Sequence, residues 1–186
     1  MLRLATDRDR DPVLAWRNHP DVRAVSLTQH VITPEEHAAW WARASVDPTR
    51  RVLVYDRQDV PSGSVTFFDL AETTGRDGRA RRTASWGFFL DVAGLQERGA
   101  LLPAWIDVMR RATRYAVEEL RLDVLHGEVL ERNEAVRSLN RRFGIREVAA
   151  EQREIDGTTQ TVLLLELAAE DVRPRPAGQT ATGAQS

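Results

Sequence analysis

Residues 84–145 read ASWGFFLDVAGLQERGALLPAWIDVMRRATRYAVEELRLDVLHGEVLERNEAVRSLNRRFGI, and this stretch decides the fold. The run Trp86–Leu90 is aromatic and apolar, which is typical of a strand covered on both faces. A turn with two glycines follows from Asp91 to Gly99. From Leu101 onward apolar residues recur at three- and four-residue steps. This spacing predicts an amphipathic helix of about five turns.

The second half of the stretch predicts another strand and another helix. Val124–Leu130 is short and apolar, so we expect a buried strand parallel to the first. Asn133 opens a short helix, and Gly144 stands where a helix C-cap is expected. The result is a right-handed β-α-β-α unit. A helix that starts after a glycine turn offers unpaired N–H groups to an anion, and Arg98 adds charge beside it; the unit also fits ordinary α/β architecture without a ligand.

This unit resembles the coenzyme A-binding half of the GNAT N-acetyltransferases, in which the pantetheine arm bonds to a splayed strand and the pyrophosphate lies on the turn. The turn here reads Gln96-x-x-Gly99-x-Leu101. The resemblance implies an α/β, GNAT-like fold with a mixed central β-sheet, flanking helices and a splayed coenzyme-binding strand. It also implies acetyl-CoA as cosubstrate. The coenzyme-binding residues that it implies are Phe88, Phe89, Leu90, Arg98, Gly99, Ala100, Leu101, Asn133 and Asn140.

Two positions depart from the family pattern. The family turn usually carries a small residue where this chain has Leu101, and the spacing to Tyr115 is longer by about one helical turn, so Leu102–Trp105 is a competing alignment for the pyrophosphate loop. In many GNAT enzymes a tyrosine protonates the departing thiolate, and the matching residue here is Asn140. An asparagine amide cannot act as an acid at neutral pH.

The N-terminal part carries a second resemblance. Residues 16–23 read WRNHPDVR, and residues 28–40 read TQHVITPEEHAAW. Thr33 and Glu36 form a capping box with Pro34 between them, which predicts a helix start. With the later WGF and GEVL-x-x-NEA segments, these motifs resemble the amino-sugar N-acetyltransferases of pseudaminic-acid biosynthesis, a GNAT branch acting on a nucleotide-linked 4-amino-sugar. This resemblance covers residues 2–150.

Composition excludes several other classes of protein. The chain has 186 residues, a net charge of −2 and no cysteine, so disulfides, thiolate metal sites and cysteine nucleophiles are excluded. All 26 basic residues are arginine. They do not outnumber the acidic residues, so the chain lacks the excess of positive charge that favours nucleic acid binding. Four histidines lack the spacing of a helical zinc site, so no metal is expected. Without an apolar run long enough to cross a bilayer, and without a signal peptide, we expect a cytoplasmic protein that binds neither membrane nor nucleic acid.

The remaining segments complete one predicted domain over residues 1–170. Strands are predicted at Arg51–Tyr55 and Gly63–Phe68, followed by a mobile loop at Thr73–Arg82. A terminal hairpin is predicted at Glu151–Ile155 and Thr159–Leu167, with a turn at Asp156-Gly157. Residues 171–186 are rich in proline, glycine and small polar residues, and we expect them to be disordered.

The expected reaction is acetyl transfer from acetyl-CoA to the primary amine of a small molecule, with an amino-sugar or nucleotide-linked amino-sugar as the expected acceptor. His30 is the leading candidate for the base or an acceptor ligand because histidine titrates near neutral pH. Asp69 and Glu128 are alternative catalytic carboxylates, and Arg17 and Trp86 are candidate acceptor-binding residues. Two alternative functions stay open: a degenerate GNAT-fold protein that binds an acyl-CoA or a partner without turnover, and an enzyme acting on protein N-termini. The oligomeric state also stays open, with a homodimer as one alternative.

Overall fold

A computed structural model describes residues 1–75 and 77–172 as a seven-stranded mixed sheet with helices on both faces. The strands are β1 (Leu2–Leu4), β2 (Arg51–Arg57), β3 (Val60–Thr74), β4 (Ala80–Leu90), β5 (Val124–Leu130), β6 (Arg146–Ile155) and β7 (Thr158–Ala168). The helices are α1 (Arg10–Arg17), α2 (Pro20–Ala24), α3 (Pro34–Val46), α4 (Val92–Glu97), α5 (Leu101–Glu118) and α6 (Glu134–Arg142). The sheet order is β1-β2-β3-β4-β5-β7-β6, and only β4 and β5 pair in parallel. The predicted fold class is confirmed.

The two faces of the sheet are covered differently. On one face α5 buries its apolar stripe, Ala104, Val108, Met109, Ala112 and Ala116, against the central strands, and α6 packs onto the same core. On the other face α1 contacts β3 and β4, and α3 contacts β2. The predicted capping box of α3 is confirmed, because Thr33 accepts from the Glu36 N–H and Glu36 accepts from the Thr33 N–H.

Two local predictions in the centre of the chain were wrong. The expected mobile loop at Thr73–Arg82 is strand at both ends, because β3 extends to Thr74 and β4 begins at Ala80, with these two residues paired. Its side chains are exposed, so no apolar alternation marked it as strand. The expected turn from Asp91 to Gly99 contains α4, which Asp91 caps by accepting the Gly94 N–H at 3.1 Å.

The terminal hairpin is confirmed. Residues Asp156 and Gly157 connect β6 and β7 with φ values of 46° and 72°, the left-handed geometry of a two-residue hairpin turn. Ala169–Asp171 forms one turn of 3₁₀ helix, and Val172 packs against the core. The predicted disordered tail lies, from residue 173 on, outside the described residues, so its disorder stays a prediction.

β4 and β5 separate part-way along the sheet. They pair only at Thr83–Ser85 and Val124–His126, and beyond this vertex they run apart. Gly127 stands just past the vertex, where an added Cβ would lie 3.2 Å from Nε1 of Trp86. Glycine therefore lets the indole rest directly against β5 at the point where the gap opens. We call the space between Trp86–Leu90 and 127–130 the gap.

Candidate active site

The edge of β4 that faces the gap carries unpaired backbone groups. The Asp91 N–H donates to the Ser62 carbonyl of β3 at 2.9 Å, whereas the Arg82 carbonyl accepts from the Asp123 N–H, on the β5 side, at 2.8 Å. Backbone groups alternate in direction along a strand, so even-numbered residues of β4 point toward β5. Phe88 and Leu90 therefore present their N–H and C=O groups to the gap, whereas those of Phe89 point toward β3.

The N-terminus of α5 offers further donors near the end of β4. Gly99 adopts φ +61°, and Ala100 caps the helix without a side-chain hydrogen bond. The N–H groups of Leu101 and Leu102 have no acceptor within the helix, and Pro103 has no N–H. The two alignments considered for the pyrophosphate loop thus converge on the same helix end.

Arg98 lies beside this helix end but is already engaged. Its Nη2 donates to Oγ of Ser62 at 3.2 Å and lies 3.7 Å from Oδ2 of Asp91. The side chain is 39% exposed, so the pair with Asp91 is weak and the guanidinium is accessible to an anion.

The two predicted asparagines have different surroundings. Oδ1 of Asn133 accepts from the Val136 N–H at 3.3 Å and so caps α6. Asn140 is 5% exposed, and its backbone carbonyl accepts from the N–H groups of Phe143 and Ile145. Its side-chain amide forms no hydrogen bond with any residue of the described ranges.

The face of the sheet opposite α5 forms an open floor around the vertex. An added Cβ on Gly127 would approach Trp86 and Leu165, which lie on the α5 face, so the adjacent His126 and Glu128 point to the other face. Ser85, His126 and Glu166 are in register across three strands and share this face. The partly or fully exposed residues of the floor are Ser85, Gly87, His126, Glu128, Leu164 and Glu166.

The carboxylates of the floor are paired with arginines. Glu128 accepts two hydrogen bonds from Arg153, at 2.9 and 2.6 Å. These bonds, together with two that Arg153 donates to Glu151, raise the pKa of Arg153. Glu166 lies 3.4 Å from a guanidinium nitrogen of Arg146. The floor therefore has little uncompensated negative charge.

Residues 25–33, between α2 and α3, form a wall beside the floor. Leu27 packs against the apolar cluster of Leu130, Ile155 and Val162 at the far end of β5. The amide of Asn18 holds the wall by two hydrogen bonds to the backbone of Ile32, at 2.8 and 2.9 Å.

Two arginines donate hydrogen bonds to backbone carbonyls of the same wall. Nη2 of Arg17 donates to the Thr28 carbonyl at 2.9 Å, and Nη1 of Arg23 donates to the Gln29 carbonyl at 2.8 Å. Nη1 of Arg17 is buried and has no hydrogen-bond partner among the described residues. Burial, and secondarily the charge of Arg23, lower the pKa of Arg17.

His30 lies in the wall itself. Its side chain is 54% exposed, and its Nε2 lies 3.6 Å from Oε1 of Glu36. His37 is a structural residue: its ring donates to the Arg10 carbonyl at 2.9 Å, and burial lowers its pKa.

Two candidates lie away from the floor. Asp69 is exposed with φ +55° at an irregularity in β3, next to the joined part of β4 and β5 rather than the gap. Trp86 is buried on the α5 face, stacked between Phe67 and Phe88 at centroid distances of 6.2 and 5.4 Å. Both side chains therefore lie away from the floor, and their roles stay predictions. Gly87 was not predicted as a site residue, although its position one residue from Trp86 already places it on the opposite face.

Comparison with known proteins adds an independent observation. A family model described as "Acetyltransferase (GNAT) domain" matches residues 1–146. The chain is a GNAT acetyltransferase. Enzymes of this family use acetyl-CoA, and the free edge of β4 and the open N-terminus of α5 fit such a cosubstrate. Among curated proteins, none matches the chain in a sequence comparison.

Solved structures share the fold of this GNAT acetyltransferase. Spermidine N-acetyltransferase from Vibrio cholerae, in complex with CoA and spermine, is 17% identical with a TM-score of 0.74, and the match covers 92% of this chain and 96% of that one. A putative phosphinothricin N-acetyltransferase is 20% identical with a TM-score of 0.70, covering 91% and 98%. A GNAT acetyltransferase from Bacillus anthracis is 12% identical with a TM-score of 0.68, covering 91% and 94%. The finer resemblance to the pseudaminic-acid branch stays a prediction.

No helix within residues 1–75 and 77–172 has the length and apolar character needed to span a membrane.

Proposed function

We propose that this GNAT acetyltransferase acetylates the primary amine of an amino-sugar or a nucleotide-linked amino-sugar, by direct transfer in a ternary complex. The observation that carries the proposal is the gap, whose unpaired β4 edge opens onto a floor without free carboxylates. Acetyl-CoA would supply the activated acetyl group there.

Residues of this chain would hold the cosubstrate at two places. The backbone N–H and C=O groups of Phe88 and Leu90 match the amides of a pantetheine arm as an added strand would. The N–H groups of Leu101 and Leu102, assisted by Arg98, suit a pyrophosphate. An N–H group of the β4 edge would stabilise negative charge that develops on the thioester oxygen. Since Asn140 cannot supply a proton, water must protonate the sulfur unless the acceptor does so.

The charges around the floor support an acceptor with an anionic group. The two floor carboxylates, Glu128 and Glu166, are paired with arginines, whereas no carboxylate pairs with Arg17 in the described part of the chain. A polycation would need free carboxylates to replace its hydration. A phosphate or diphosphate would instead find guanidinium groups, which bind such oxygens in bidentate fashion. The same argument disfavours a basic peptide.

Two measurements test this proposal. Calorimetric titration with acetyl-CoA and free coenzyme A should show micromolar binding, and no binding at millimolar ligand would overturn the acetyltransferase assignment at this gap. Thiol release should then be compared for glucosamine 6-phosphate, a uridine-diphosphate amino-sugar, spermidine and a basic N-terminal peptide. We expect the anionic acceptors to have the higher kcat/KM, and Arg17→Gln to reduce that preference. Preference for spermidine in the wild-type protein would contradict the proposed acceptor class.

A further inference from the structure

We propose that His126 is the group that takes a proton from the acceptor amine, an inference that rests on the proposed function. His126 is paired with Ser85 in the last of the three residue pairs that join β4 to β5. A ligand anchored at the N-terminus of α5 and extended along the free edge of β4 reaches this vertex with its far end. His126 therefore stands where the acyl end of the cosubstrate and the acceptor amine must meet.

The ring of His126 points to the correct face for this role. Gly127 faces the indole of Trp86 on the α5 side, so His126 lies on the floor with Ser85 and Glu166. The residue is half-buried, and its ring forms no hydrogen bond with any described residue. An imidazole with an unoccupied nitrogen on an open floor can accept a proton from an amine beside it.

The other candidate bases are engaged elsewhere. Both carboxylate oxygens of Glu128 accept hydrogen bonds from Arg153. His30 stands on the wall beside Glu36, and His37 donates to a backbone carbonyl inside the helical layer. The charged groups that share the floor with His126 are the two pairs Glu128–Arg153 and Glu166–Arg146.

In the proposed step the acceptor nitrogen loses two protons to different groups. The acceptor ammonium gives one proton to the free ring nitrogen of His126, which later releases it to water. The neutral amine nitrogen then forms a bond to the acetyl carbon while the carbon–sulfur bond breaks. The second proton lost by nitrogen ends on the sulfur, so the products are the amide, the thiol of coenzyme A and one proton.

A ligand-binding experiment tests the position of His126 without an acceptor. The four histidine ring signals can be assigned by single substitutions in ¹³C-resolved NMR spectra and then followed while acetyl-CoA is added. We expect the His126 signals to shift, and those of His19 and His37 to stay in place. Saturation with acetyl-CoA without any shift at His126 would overturn the proposal, whereas the absence of binding would instead overturn the proposed function.

A kinetic experiment separates proton transfer from a structural role. With the best acceptor among those above, His126→Ala should lower kcat about 10²-fold or more and leave KM and coenzyme A affinity within about twofold. Added imidazole should restore part of the lost rate, which it cannot do for a variant that is merely misfolded. His30→Ala serves as the matched control and should show no rescue. Full activity of His126→Ala, or a loss that imidazole does not change in a variant of wild-type melting temperature, would refute the assignment.

Discussion

A substitution at Gly87 tests directly whether the acceptor amine reaches the gap across the floor. It lies in β4 opposite Thr66, two residues beyond Ser85 at the vertex, and an added Cβ would meet no atom within 4 Å. Its φ is outside the left-handed region, so a larger residue fits the backbone without strain. Its own N–H and C=O point toward β3, so a side chain at this position leaves the β4 edge intact. Gly87→Leu should therefore fill the floor and disturb nothing else.

Gly87→Leu is expected to raise the free energy of unfolding and to lower kcat/KM. Replacing a strand glycine should raise the free energy of unfolding by about 0.5–1 kcal/mol, because the unfolded chain loses conformational freedom. For a protein of this size that is a rise of about 1–4 °C in melting temperature. The leucine side chain should lower kcat/KM for the amine at least about 100-fold, equivalent to about 2.7 kcal/mol. Coenzyme A affinity should stay within about twofold.

The assay is thiol release at saturating acetyl-CoA, beside calorimetry with coenzyme A and thermal unfolding. Gly87→Ala should give an intermediate rate, and Ala150→Leu, on the exposed edge strand β6, is the control for added apolar surface. Wild-type kcat/KM in Gly87→Leu would refute the reasoning, since the amine would then not cross this face. A melting temperature several degrees lower would refute the claim that the space is open.

Three further substitutions test separate features. Arg98→Ala should weaken coenzyme A binding by about 1–2 kcal/mol in calorimetry, whereas Arg8→Ala, in an exposed turn, should leave it unchanged; equal affinities would remove Arg98 from the site. Hydrogen bonds from Arg3 lower the pKa of Asp9 to about 2, so this carboxylate stabilises the fold above about pH 4 and less as pH falls toward 2. Asp9→Asn should cost about 1–3 kcal/mol at pH 7 in urea unfolding and progressively less between pH 4 and pH 2; a cost independent of pH would contradict this. An added Cβ at Gly63 would lie 2.7 Å from a backbone oxygen of β4, so Gly63→Ala should cost about 1–3 kcal/mol, and an unchanged urea midpoint would contradict that contact.

Patterns that bury one face were predictable from the sequence. The amphipathic stripe that begins at Leu101 and the capping box at Thr33 specify α5 and α3, because each signal is local. The outer half of the hairpin at Thr73–Arg82 was missed because both of its faces are exposed and its strands therefore lack an apolar period. α4 was missed because a helix of six residues shows too little periodicity to be distinguished from a turn.

The candidate site depends on information that no local pattern contains. Which edge of β4 is free follows from its register with β3 and β5, so Phe88 and Leu90 could be distinguished from Phe89 only in the folded sheet. The burial of Trp86 and the pairing of Glu128 with Arg153 are likewise contacts between distant segments. His126 lies in an otherwise apolar strand, a position that is typical of the core. Its exposure results from the incomplete cover of the floor.

The separation of β4 and β5 also affects how the molecule holds together. Beyond the vertex, no backbone pairing joins Trp86–Leu90 to the facing part of β5. Among the described residues, only three residue pairs connect the two halves of the sheet directly. Each missing backbone hydrogen bond represents about 0.5–1.5 kcal/mol of net stability. The gap is thus an edge without backbone pairing between two half-sheets, and under the proposed binding mode the pantetheine arm would pair with this edge as a strand does. If acetyl-CoA binds there as proposed, it would also connect one half of the sheet to the other, so the free energy of unfolding should rise with the cosubstrate concentration.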